Sequence, residues 1–70
     1  MKKELMHQFW GSNNYSTREA RVYKNIPGPF EVEFWDNNKL IESREMKTKG
    51  IEHSERYAED AAENWCMGII

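Results

Sequence analysis

The closing segment, Ser54-Glu55-Arg56-Tyr57-Ala58-Glu59-Asp60-Ala61-Ala62-Glu63-Asn64-Trp65-Cys66-Met67-Gly68, places the tightest constraint on what this chain can fold into. At helical spacing Tyr57, Ala61 and Trp65 form one row and Ala58, Ala62 and Cys66 the row beside it, while Glu55, Glu59, Asp60 and Glu63 fall elsewhere. Ser54 is a favourable N-cap, Glu55 places an anion where the helix dipole welcomes it, and Gly68 supplies the usual stop. The spacing therefore predicts an amphipathic helix from Ser54 to Met67 with one docking face. Its alanines remove bulk so that the helix can approach a flat surface, and Tyr57 and Trp65 are expected to fill the two ends of that contact. The acidic residues read as a solvated face, with Arg56 and Asp60 as an i,i+4 pair.

The flat surface has to come from upstream. Phe30, Val32 and Phe34 alternate with Glu31, Glu33 and Trp35, the period of a strand with one apolar face. Asp36-Asn37-Asn38-Lys39 carries turn chemistry, and Leu40 to Met46 can return as the second arm of a hairpin. Glu19 to Ile26 reads as an earlier strand ended by Pro27-Gly28-Pro29, because proline cannot continue a ladder. With Ala20 and Val22 on the core face, Arg21 can meet the glutamates across the strands. The expected fold class is α+β: a three-stranded antiparallel sheet from Glu19 to Lys47 with the C-terminal helix on one face, forming a single domain with its core in residues 18–70. Residues 1–17 are read as an N-terminal helix or arm. Leu5, Met6, Phe9 and Trp10 fit a helical stripe, although Leu5 to Trp10 also fits a strand.

Size and composition narrow the function classes. A chain of 70 residues buries only about 60% of its unfolded surface and has little stability to spare. One cysteine excludes an internal disulfide, and His7 and His53 with Cys66 make no zinc pattern, so neither a metal nor a cofactor is expected. The lone thiol, with no signal peptide and no long apolar run, reads as a cytoplasmic protein with no membrane attachment. His53 beside Glu52 and Glu55 could move a proton and Cys66 could act as a nucleophile, yet Cys66 falls on the docking face and no triad is placed. No phosphate-binding glycine loop is present, and no enzyme is expected.

The charge is uneven: residues 1–30 hold five basic and two acidic side chains, and residues 31–70 five basic and ten acidic, giving +3 and −5. An acidic second half argues against general nucleic-acid binding. The alternative keeps nucleic acid as a partner through Arg18, Arg21 and Lys24 on phosphates, with Tyr23 or Trp35 stacking on bases.

"GPFEVEFWDNNKLIESREM" followed by "AEDAAENW" resembles the double-stranded RNA-binding domain over about half of the chain: its strand, its hairpin and its A-x-x-A-A helix. The resemblance implies a helix, three strands and a closing helix. It does not extend to the family's lysine cluster, since the corresponding turn reads Glu52-His53-Ser54-Glu55-Arg56. Residues 18–70, a strand hairpin followed by the "YAEDAAENW" helix, also resemble short uncharacterised proteins of tailed phages, cyanophages included; that resemblance implies no known chemistry and raises the expectation of action on a host component.

Nine Phe, Trp and Tyr exceed what one sheet face and one helix face can hide. Trp35 and Tyr23 fall on the outer sheet face, and Phe9 and Trp10 have no assigned place. Either the N-terminal segment folds over that face, or a host protein or a second copy covers it. The expected function is non-catalytic protein interaction through Phe9, Trp10, Tyr23 and Trp35.

Overall fold

A computed structural model describes residues 2–69. Its main element is a four-stranded antiparallel sheet, with β1 (Lys2–Trp10), β2 (Arg18–Ile26), β3 (Phe30–Asp36) and β4 (Lys39–Glu45) in that spatial order. A short 3₁₀ turn, Asn13–Tyr15, lies between β1 and β2. A two-stranded hairpin, β5 (Lys47–Thr48) and β6 (Ile51–Glu52), leads into helix α1 (Glu55–Cys66), which packs on β1, β2 and β3. No helix of the described residues is long and apolar enough to cross a membrane.

The α+β class and the closing helix are as expected, but the sheet has four strands instead of three. The first segment is a strand and neither a helix nor an arm, so the opening helix implied by the RNA-binding-domain resemblance is replaced by β1. The reason is visible in the pairing. Lys2 through Leu5 pair with Ile26 through Tyr23, and after a register shift His7 through Trp10 pair with Val22 through Glu19. The irregularity at Met6 puts Leu5 on one face and His7 and Phe9 on the other, which breaks a simple alternation and produces the helix-like spacing of large residues. Pairing also satisfies the backbone of β2, which would otherwise be an open edge beside the core.

Turn residues fix the hairpins. Asn37 and Asn38 have φ of 52° and 66° between the paired Asp36 and Lys39, the left-handed pair of a two-residue turn that asparagine tolerates well. Lys49 and Gly50 do the same for β5 and β6, with φ of 52° and 81°.

The core is small and lies between α1 and the inner face of β2 and β3. Ala20, Val22, Val32, Phe34, Met46, Ala58, Ala62 and Cys66 are buried, with Phe9, Phe30, Ala61 and Trp65 packed at its border. Ala58 and Ala62 have no exposed surface, the close approach that small side chains allow. Trp65 meets Phe34 with ring centres 5.3 Å apart. Tyr57 does not close the other end of the contact. It is 50% exposed and stacks on His53 at 3.9 Å, because the β5–β6 hairpin brings His53 over it while Met46 takes the core position.

Both helix ends are capped. Ser54 Oγ accepts from the Tyr57 N–H. At the other end the Gly68 N–H donates to Trp65 O and the Ile69 N–H to Asn64 O, with Gly68 at φ 77°. That pair of bonds is a Schellman closure.

Candidate interaction surface

Strand alternation sets out the outer face of the sheet in rows across the strands. Trp10, Glu19, Trp35 and Leu40 form one row, Gln8, Arg21, Glu33 and Ser43 the next, and Leu5, Tyr23, Glu31 and Glu45 a third, with Lys3 opposite Asn25 beyond. None of these side chains lies under α1, which covers the opposite face.

Charged groups partly roof the aromatic ones. Lys3 Nζ sits 4.4 Å from the Tyr23 ring centre and pairs with Glu33 at 2.9 Å and Glu31 at 3.2 Å. Arg21 lies 4.4 Å over the Trp35 ring and donates to Glu19 at 2.6 Å, while the Trp35 indole donates to Glu33 at 3.1 Å. Arg21 stands opposite Glu33 in register but pairs along its own strand, since Lys3 has taken Glu33. Glu31 further accepts from Asn25 at 3.1 Å and from Ser43.

These contacts move the titrations. The Arg21 hydrogen bond holds the Glu19 carboxyl below its usual range, against partial burial. Burial pushes Glu31 up, but the bonds from Ser43, Asn25 and Lys3 outweigh it and leave the carboxyl lowered. The Glu33 hydrogen bond raises Lys3. Glu19, Glu31, Glu33 and Glu45 outnumber Lys3 and Arg21, so the face is acidic on balance.

The proposed aromatic residues divide between the two sides of the sheet. Trp10, Tyr23 and Trp35 share the outer face, with Trp10 65% exposed. Phe9 does not join them: it pairs with Ala20, packs at the edge of the core, and its carbonyl accepts from Cys66 Sγ at 3.5 Å. The N-terminal segment does not fold over the face either; as β1 it widens it. Leu5 and Leu40, both 49% exposed, belong to the surface as well. The register irregularities at Leu5/His7 and Phe34/Trp35 hid them from a count of alternation.

Of the basic residues, Arg21 lies on this outer face and Arg18 and Lys24 on the other. Arg18 donates to Trp65 O at 2.7 Å and lies 4.5 Å over the Trp65 ring. Lys24 donates to Gly28 O at 2.6 Å, beside the Phe30 ring at 4.7 Å. Fold geometry does not gather the three into one patch.

Cys66 is buried, and desolvation pushes its thiol upward, away from the thiolate a nucleophile needs. His53 bonds Thr48 Oγ1 at 2.8 Å, with no contact to Cys66. The fold thus defines a small α+β domain in which a four-stranded meander carries one helix. No family model matches the chain, and no similar curated protein or solved structure was found.

Proposed function

We propose that the protein is a non-catalytic interaction module whose outer sheet face binds a protein partner. The observation that carries this reading is the row of Trp10, Glu19, Trp35 and Leu40 across four strands, with Leu5 and Tyr23 two rows away on the same face, left uncovered by the helix. Aromatic side chains on a rigid sheet give large contact area at low entropic cost and dominate binding energies at protein interfaces. The acidic balance of the face favours a partner with a basic, flat surface over a second copy with the same charge. The resemblance to short tailed-phage proteins supports a phage-encoded protein acting on a host protein.

The test is capture on the immobilised protein from native cell lysate treated with nuclease, comparing the wild type with Trp10→Ala and Trp35→Ala. One stoichiometric protein lost in both variants supports the reading. Recovery that both variants retain contradicts it, and recovery that disappears with nuclease assigns the surface to nucleic acid instead. Sedimentation of the pure protein tests the second-copy arrangement directly.

A further inference from the structure

On the opposite side of the molecule, at the border between β1 and the first turns of α1, three metal-ligating groups converge. His7 Nε2 lies 2.5 Å from Glu55 Oε2 and 3.9 Å from Glu59 Oε2, and one donor atom from each residue falls within 4.8 Å of the other two. The three are separated in sequence by 48 residues between His7 and Glu55, so spacing alone could not suggest them.

Two features of the fold build this convergence. The irregularity between Leu5 and His7 turns His7 from the outer face to the helix side, and bulges commonly re-aim a side chain in this way. Glu55 and Glu59 are four apart and share one face of α1. Their side chains are 40% and 30% exposed and that of His7 33% exposed, open enough to admit an ion and to keep water as a further ligand.

The charge is also unbalanced. Among the described residues the only ion-pair partner of either carboxylate is His7, since Lys3, Arg21, Lys24, Arg44 and Arg56 pair with other acids. Two carboxylates against one imidazole leave negative charge at the cluster whether or not the ring carries a second proton.

We infer that His7, Glu55 and Glu59 form a site for a divalent transition cation of the zinc type. Zinc takes imidazole and carboxylate ligands at about 2.0 to 2.2 Å, which sets donors around a tetrahedral ion about 3.4 Å apart. The present separations of 2.5 and 3.9 Å bracket that value, so small rotations of the two glutamates suffice. An imidazole in the set favours zinc over magnesium or calcium, which prefer all-oxygen surroundings. Binding would clamp strand β1 to the start of α1 and add to the stability of the native state.

Calorimetric titration of the purified, untagged protein with ZnCl₂, in parallel with His7→Asn and Glu59→Gln, tests the site. Expected is one zinc per chain, with affinity falling about tenfold or more in each variant, and no displacement by millimolar MgCl₂. Thermal melts with and without ZnCl₂ give a second readout: the midpoint should rise in the wild type and stay fixed in Glu59→Gln, an isosteric change on a part-exposed side chain. Zinc bound equally by both variants, placing it at His53 or Cys66, overturns the inference, as does the absence of binding by the wild type.

Discussion

The guanidinium of Arg21 lies 4.4 Å from the centre of the Trp35 indole and donates to Glu19 at 2.6 Å, so one cation on the central strand roofs the aromatic of its neighbour. Such a stack contributes about 0.5 to 1 kcal/mol at exposed sites. Arg21→Ala and Trp35→Ala should each lower stability only modestly, by about 1 kcal/mol in urea denaturation, and leave the circular dichroism unchanged. Partner capture should fall far more in Trp35→Ala than this stability loss explains. A cooperative collapse of the fold in either variant would show that the face is structural.

The helix ends are a separate test of what holds α1 in place. Ser54→Ala removes the acceptor of the Tyr57 N–H and should cost about 1 kcal/mol, a drop of roughly 4 to 8 °C in the melting midpoint. Gly68→Ala should be at least as damaging. It forces a side chain into φ 77° and drives its Cβ into the Tyr15 ring. Thermal melts of the two variants against the wild type check both.

These caps were legible in the sequence because they are local: Ser54, Gly68, the Asn37-Asn38 turn and the Pro27-Gly28-Pro29 break act through backbone geometry within a few residues. The row of Ala58, Ala62 and Cys66 was legible for the same reason, and so was the alternation that put Tyr23 and Trp35 outside. What stayed hidden depends on pairing across the chain. Strand β1 carries an irregularity at Met6 that mimics helical spacing, so alternation alone assigns Phe9 no face, and it borders the core. The His7 cluster joins a strand and a helix that only the tertiary fold brings together. Tyr57 lies outside the core, under His53, because of the β5–β6 hairpin, which at two residues to a strand is too short to leave a periodic signal.

Acid should weaken the outer-face network in a defined direction. The Glu19 carboxyl is lowered by the Arg21 hydrogen bond; Glu31 is raised by burial but lowered on balance by Ser43, Asn25 and Lys3. In the unfolded chain both return to about 4.5. Between the folded and unfolded values the unfolded state binds more protons, so stability rises with pH there. The contribution is complete above about 4.5 and is lost as pH falls through the lowered folded values. Glu19→Gln combined with Glu31→Gln should flatten the acid slope of stability. An unchanged slope would mean that these carboxyls are not held as the contacts indicate. Lys3, raised chiefly by Glu33, acts in the opposite sense: its contribution holds below 10.5 and fades as pH rises through its folded value.

Cys66 should behave as core. It is 2% exposed and its thiol is raised by burial, so alkylation by iodoacetamide at neutral pH is expected to be slow in the native protein and fast in denaturant. Mass spectrometry of timed samples measures both rates. Equal rates would place Cys66 at the surface and undo the packing of α1 on the sheet.

The three tryptophans allow the proposed interface to be read residue by residue, since Trp10 and Trp35 lie on the outer face and Trp65 on the helix side, against Phe34 and Arg18. The decisive measurement is the shift of the three indole N–H signals in a ¹H–¹⁵N spectrum as the captured partner is added. Expected is movement or broadening of the Trp10 and Trp35 signals at sub-stoichiometric partner, with Trp65 unchanged. Movement of Trp65 alone, with Trp10 and Trp35 still, would contradict an interface on the outer sheet face.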